Sequence, residues 1–570
     1  MFRTRRKKAK KNYSRKSSAY KQLRMESLEQ KNLLASDFAV SASDFAVSVV
    51  GGDLIIDNIN QQGGFDQVIG ILDGAVSGEF LLGSSETILF TDSMGVVTTV
   101  PPETFFTVSG VTRDVIVDLG DFAPGILVPE ADVNLQILGA TLPGDLRVTG
   151  ANLTNGDVDG GHGLTIGAGG INNTVTTIAG DVVLNIESTL VGNGAFAVVD
   201  IRDNTVIGGD ILIDTTVSSN PDFINIEDVT IGGDLRLTLG RSNNPLFQST
   251  VNEVTITSAQ VGNDLFVQSG LGNRDLIIDS TTVGDDLVLA IGDTVATTDD
   301  GGNTVTVSST TVGDDVRVTD GLISNSYTLE DVTIDDDLRI DAGAGGIEFI
   351  ISAINIADDL IFKGGDGDDI FFFESVGVTN IIGDDLYATG RAGADEIGIE
   401  DVQIADKLRI STGSGDDFVG IVNSTIGRSA LVSLGSGINE SEIEGVDAGR
   451  SLTVLGRGTN TISLTDVTST YFVTILTASG DDVVEMTGVT THSALISTKA
   501  GMDEVTITDS TFDYLFVLLG SGDDSLTLDG VTVNRFAFLN GGSGDDTLID
   551  VGDASDINFE IDFAFETIGT

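Results

Sequence analysis

The chain contains no cysteine and no tryptophan, two histidines, and seven prolines in 570 residues. Without cysteine there is no disulfide, no thiolate nucleophile and no sulfur-ligated metal. His162 and His492 stand far apart in the sequence, too little imidazole for a two-histidine metal site or an evident catalytic triad. His162, set in Gly-Gly-His-Gly-Leu, reads as a loop residue. All prolines lie between Pro101 and Pro245, so the chain beyond Pro245 keeps every backbone N–H available for a ladder. No stretch approaches 18 uncharged apolar residues, which excludes a spanning helix.

Positive charge is scarce and misplaced. Lys and Arg number 29 against 87 Asp and Glu, for a formal charge of −58. Twelve of those 29 lie at or before Lys31, where the only acids are Glu26 and Glu29; that segment carries +10 and the remainder −68. Such a body repels nucleic acid and anionic membranes and attracts cations. With 40% apolar residues in alternating patterns, the chain is not of disordered composition.

What is abundant is glycine, 71 residues, much of it in a recurrent loop. In the C-terminal third, Gly-x-Asp or Gly-x-Asn returns at Asp369, Asp395, Asp417, Asn439, Asn460, Asp482, Asp503, Asp524 and Asp546. After a first interval of 26, the spacing is 21 or 22. A fixed period of this size signals stacked coils that touch only their neighbours. Each coil holds two short alternating runs, such as Asn303–Val312 and Asp285–Ala290, with no helix-period segment between them. The expected fold is all-β: a parallel β-solenoid of about 17 coils, 21–22 residues and two strands per coil. Stacking sets the nine side chains in one row, about 4.8 Å apart. A second row of acids, Asp210, Asp234, Asp264, Asp286, Asp315, Asp337, Asp359 and Asp385, precedes the other strand and ends at Lys407 and Ser429. It lacks the glycine run and reads as structural turns.

Four regions follow: a basic leader over 1–35, an irregular β region over 36–140, coils over 141–550, and a capping strand over 551–570. Solenoid ends expose strand edges and call for caps. The leader has no apolar core of 7–15 residues, so it is not a conventional signal peptide.

Two resemblances extend this reading. Leu28-Glu29-Gln30-Lys31-Asn32-Leu33-Leu34, after a basic stretch, resembles the LEPR-XLL element of planctomycete surface and secreted proteins, although Gln30 and Lys31 replace Pro-Arg. That resemblance implies a bacterial exported protein, secreted or at the cell surface. Gly364–Phe372 and Gly541–Ile549 fit the nonapeptide Gly-Gly-x-Gly-x-Asp-x-apolar-x of RTX β-rolls, and the loops at 413–419, 479–484 and 521–526 match most of it. The RTX resemblance implies calcium held between coils by carboxylates and backbone carbonyls. Its ligands here would be Asp368, Asp369, Asp395, Asp416, Asp417, Asp481, Asp482, Asp503, Asp523, Asp524, Asp545 and Asp546. The loops are not in tandem, as RTX loops are, which points to a related solenoid.

The expected function is a secreted or cell-surface structural or adhesion protein, an acidic rod stabilised by calcium, with cell-surface glycans or matrix proteins as open partners. The alternative is a polysaccharide lyase or hydrolase on a parallel β-helix, for which Arg391, Asp395 and Arg409 are the nearest off-pattern cluster. Phe371, Phe372 and Phe373 are expected to fill the core.

Overall fold

The computed structural model describes residues 45–58, 67–76, 79–85, 87–91, 95–121, 133–152, 162–168, 174–188, 197–215, 223–240, 252–269, 274–292, 302–321, 325–374, 377–551, 556–557 and 560–569. The basic leader and its LEPR-XLL-like segment lie outside these residues. The described chain is β-structure stacked in parallel coils, as the periodicity predicts. One ladder of longer strands runs unbroken from Leu146–Asn152 to Thr532–Ser543, and a facing ladder from Val133–Leu138 to Thr567–Gly569.

A single coil shows why the sequence folds so. Glu504–Thr508 alternates exposed and buried side chains, with Val505 and Ile507 fully buried. The chain turns through Asp509, which sits in the left-handed region at φ 47°, and returns as Thr511–Ser521 with Phe512, Leu515, Val517 and Leu519 inward. The next coil repeats this in register, Glu504 pairing with Ser525 and Thr508 with Asp529. Each coil thus covers the apolar stripe of the one before it, and burial replaces water on both sides of every Val and Ile.

The left-handed turn recurs in register at Asp228, Ser258, Ser280, Ser309, Asp331, Ala353, Asp401, Asn423, Asp466 and Asp509, with glycine taking the place at 445, 488 and 530. Asp, Asn and Gly tolerate this conformation; Ser and Ala occupy it at some cost.

Within most coils the second strand is itself divided. A two-residue strand such as Thr311–Val312 is followed by the turn Gly313-Asp314-Asp315 and then the longer strand Val316–Asp320. From Thr468 onward this turn disappears, and Thr468–Leu476, Thr490–Ala500, Thr511–Ser521 and Thr532–Ser543 run straight through.

The N-terminal region differs in kind. Phe45–Val50 with Asp53–Asn58, and Gln67–Asp73 with Glu79–Ser84, are antiparallel hairpins. Each donates one strand in parallel to the first coils, Asp53–Asn58 to Val115–Asp121 and Gln67–Asp73 to Val133–Leu138. At the other end Glu560–Phe563 adds in parallel to Thr532–Ser543. Among the described residues no helix is long and apolar enough to cross a membrane.

Of the three phenylalanines expected in the core, Phe371 and Phe373 are fully buried, in an aromatic stack with Phe362 (4.4 Å between ring centroids) and Phe349 (6.4 Å). Phe372 points outward instead, because strand alternation reverses its side; its ring covers Gly398, where a Cβ would lie 2.1 Å from it.

Candidate functional site

Two corners of the coil carry carboxylates, and they are built differently. At the first, the Gly-x-Asp loop, the row predicted from spacing is present and in register: Ile370 pairs with Glu396, Glu396 with Phe418, and so on to Ser525 with Thr547. The loop glycines form their own column. A Cβ on Gly415 would lie 1.6 Å from the Gly393 carbonyl oxygen, on Gly522 1.6 Å from that of Gly501, and on Gly544 1.7 Å from that of Gly522. Their φ values of 140–147° are equally closed to other residues. The glycine is therefore required by the stacking of loop on loop.

The aspartates of this row turn inward. Asp369, Asp395, Asp417, Asp482, Asp503, Asp524 and Asp546 are each 2% exposed or less. Their Oδ1 atoms accept the main-chain N–H of the preceding coil: Asp369 N donates to Asp395 at 3.1 Å, Asp395 N to Asp417 at 3.1 Å, Asp482 N to Asp503 at 2.9 Å, and Asp503 N to Asp524 at 2.9 Å. Asn439 continues the same relay with its amide oxygen, and Asn460 Oδ1 accepts the Asn439 side-chain amide N–H at 3.2 Å. The outer members of the pairs bind in the opposite sense. Asp368, Asp416, Asp481 and Asp523 accept N–H groups of Ala394, Ile438, Met502 and Asp545 in the following coil.

The second oxygen is the unusual one. Asp369 Oδ2 accepts the Gly365 N–H at 2.7 Å, but Oδ2 of Asp395, Asp417, Asp482, Asp503, Asp524 and Asp546 is buried with no hydrogen-bond partner. Thr412 and Thr498 lie beside two of them, yet donate to the carbonyls of Leu434 and Leu519 at 2.7 and 2.8 Å. Burial without a donor disfavours the charged form. Desolvation, opposed by amide hydrogen bonds and assisted by neighbouring Asp charges, raises Asp369 to about 6, Asp395 to about 7 and Asp524 to about 6. Asp417, Asp503 and Asp546 are raised from the same leading cause.

The row is longer than the sequence motif. Asn303 N donates to Asn325 Oδ1 at 2.7 Å, and Ile347 N to Asp369, so Asn303 and Asn325 belong to the same column upstream. Glu566 closes it, accepting the Asp546 N–H at 2.7 Å. Asn303 follows a Gly-x-Asn loop, and 303, 325, 347 and 369 lie 22 residues apart, so the spacing reaches the upstream members; the apolar Ile347 interrupts them, and Glu566 follows no loop glycine.

The second corner is the turn before the longer strand. Here Oδ1 accepts the N–H of the same residue one coil on: Asp210 from Asp234 (2.9 Å), Asp286 from Asp315 (3.2 Å), Asp337 from Asp359 (2.9 Å), Asp359 from Asp385 (3.0 Å) and finally Asp385 from Lys407 (2.8 Å). The turn role expected of this row is what these bonds express, and Asp53, Asp114, Asp145 and Asp181 extend it upstream. From residue 314 an additional outer aspartate joins each turn. Four overlapping trios result, 314/315/336, 336/337/358, 358/359/384 and 384/385/406, each with carboxylate oxygens within 4.8 Å of one another. Among the described residues these are the acidic groups close enough to share an ion; members of the Gly-x-Asp row are not among them.

Three trios carry a cationic side chain. Arg317 pairs with Asp315 at 2.5 Å, Arg339 with Asp337 at 2.5 Å, and Lys407 with Asp385 and Asp406 at 3.3 and 2.9 Å. Asp358, Asp359 and Asp384 have no ion pair among the described residues. Desolvation and the surrounding Asp charges raise the pKa of both Asp359 and Asp384, against the Asp385 amide bonded to Asp359 and the nearby Lys407 charge at Asp384.

The cluster named for glycan chemistry is not assembled by any hydrogen bond or ion pair among the described residues. Asp395 is buried, Arg391 is exposed at a left-handed position of φ 88°, and Arg409 projects from the outer face of its strand. His492 contacts Asp513 at 2.9 Å on the surface; His162 is not the loop residue expected but opens the strand His162–Gly167, its side chain lying outside the described residues. No protein-family model matches the chain, and no curated protein matches it.

Proposed function

We propose that this protein is a secreted or cell-surface structural protein, an acidic β-solenoid that serves as a stalk, adhesin or matrix element and is stiffened by calcium. The observation that carries the reading is the trio Asp358, Asp359 and Asp384, which gathers three carboxylates that form no direct ion pair among the described residues, with Lys407 and Arg339 farther off. Calcium takes six to eight hard oxygens in tolerant geometry, so three carboxylates plus water suit it better than they suit octahedral magnesium. The other three trios hold Arg317, Arg339 and Lys407 against their carboxylates, so this one interrupts the run of built-in positive charge along the edge. On a chain of −58, each bound divalent ion relieves self-repulsion.

The twelve aspartates singled out by the RTX resemblance enter this reading differently. The inner members are buried and give Oδ1 to the backbone, so calcium in that row would have to reach a buried Oδ2. The outer ones, Asp368, Asp416, Asp481, Asp523 and Asp545, are the accessible members.

The test is calorimetric titration of the full chain with calcium at neutral pH, alongside Asp358→Asn/Asp384→Asn. Saturable heat that the double variant loses supports the reading. Equal heat from wild type and variant moves the ions elsewhere, and no heat leaves a metal-free solenoid.

A further inference from the structure

The edge that carries the carboxylates changes character toward the C-terminus. In register, the place of Asp385 passes to Lys407, Ser429, Ser451, Phe472, Ser493, Tyr514 and Phe536. The adjoining outer place passes from Asp406 through Arg428 and Arg450 to Tyr471, each bonded by its amide to the carbonyl of the one before. The turn is lost over the same coils, and the strand is continuous, with the register shifting between Ser469 and Phe472 and between Phe512 and Tyr514. Side chains that would have crowded a tight turn stand outward at this bulge instead.

Tyr471 and Phe472 are 49% and 52% exposed, two adjacent aromatic rings in solvent. Tyr514 continues the column, with Phe516 beside it on the same outward side of the strand. Next to these rings is a polar cluster. Asp513 accepts from Asn534 at 3.1 Å, contacts His492 at 2.9 Å and pairs with Arg535 at 3.4 Å. The Arg535 guanidinium lies 5.8 Å from the centre of the Tyr514 ring, and His492 meets that ring edge-on at 5.3 Å. Carboxylate, amide, imidazole and guanidinium are thus held against one another beside an aromatic strip.

We propose that this face, from Tyr471 to Arg535, is a binding platform for an uncharged polysaccharide. A pyranose ring offers an apolar C–H face to aromatic rings and a rim of hydroxyls to neighbouring donors and acceptors; the strip supplies both. The rings recur along the stacking direction at multiples of about 4.8 Å, so the ligand is an extended chain laid along the solenoid. Charge selects among polymers. The −58 of this chain opposes a nucleic acid or an acidic polysaccharide, and a second copy would bring the same charge with it. An apolar peptide would desolvate Asp513 and Arg535 without replacing their water hydrogen bonds. This inference adds a partner to the structural reading and does not depend on calcium.

The experiment is affinity electrophoresis of the full chain through gels containing hydroxyethylcellulose, galactomannan, xylan or dextran, with polygalacturonate as the anionic comparator. At least one neutral polymer should retard wild type. Tyr471→Ala/Tyr514→Ala should weaken that retardation at least tenfold, and Asp513→Asn should weaken it too, with thermal midpoints unchanged. Four results would each overturn the proposal: retardation by none of the neutral polymers, retardation by polygalacturonate alone, retardation that survives the double variant, or sedimentation showing that the face joins two copies.

Discussion

Raising the pH from 5 to 8 should destabilise this protein, because its inner aspartate row holds protons that the unfolded chain releases. The group to work from is Asp395. Desolvation is the main cause of its rise to about 7, with Asp369, Asp417 and Asp368 adding repulsion and the Asp369 amide opposing it. Its unfolded value is 3.8, so the folded state binds the extra proton throughout the interval between. Stability is then greatest below the unfolded value and declines as pH rises through the folded one. At about 1.4 kcal/mol per unit, the two units between pH 5 and a folded value of about 7 are worth about 3 kcal/mol for Asp395 alone. Asp369, which faces Asp368 and Arg391, and Asp524, which faces Asp503, Asp546 and Asp523, shift in the same direction and to about 6. As neighbours in one row they add less than independently. An unfolding entropy of about 2.1 cal/mol/K per residue over the roughly 440 described residues gives about 0.9 kcal/mol per degree. The thermal midpoint should therefore fall by about 3 °C or more between pH 5 and 8. Asp395→Asn/Asp524→Asn should flatten the profile, since Asn439 and Asn460 show that a neutral amide fits the column. His492, next to Asp513, is an ionisable side chain outside the row, so His492→Gln serves as the control. A midpoint that is constant or rises with pH, or a slope that survives the double Asn variant, would refute the reasoning.

Other expectations concern the frame of the fold. Asp482 Oδ1 accepts both the main-chain and side-chain N–H of Asn460 at 2.8 Å, so Asp482→Ala should cost about 2–4 kcal/mol by denaturant unfolding and Asp482→Asn much less. Gly415→Ala drives a Cβ to 1.6 Å from a carbonyl and should lower stability by about 3 kcal/mol or more. Phe371→Ala empties the centre of a four-ring stack at a cost of about 3–5 kcal/mol. Ala353→Gly relieves a left-handed alanine at φ 51° and should stabilise by up to about 1 kcal/mol, read as a rise in the denaturation midpoint.

The coil was legible because two signals agreed. Alternation in runs such as Glu504–Thr508 marked the strands, and the glycine spacing marked the stack. The division of the second strand was harder to see, since Thr311–Val312 is too short for any periodicity. Both acidic rows were visible, but their directions were not. A Gly-x-Asp-Asp loop says nothing about which carboxylate enters the coil, and the stacked glycines decide it by letting the loops close onto each other. The trios at 314–406 escaped notice because each draws its members from adjacent coils, as Asp358 and Asp384 show. The aromatic edge was missed for a related reason. Tyr471, His492, Asp513 and Arg535 share no motif, and only the strand register puts them side by side.

Calcium titration of the full chain at pH 7.5, with unfolding followed before and after chelation, bears most directly on the cation-stiffened rod. The account predicts saturable binding, a rise in thermal midpoint with calcium, and loss of both in Asp358→Asn/Asp384→Asn. Binding without heat or stabilisation, or stabilisation that the variant retains in full, would contradict it.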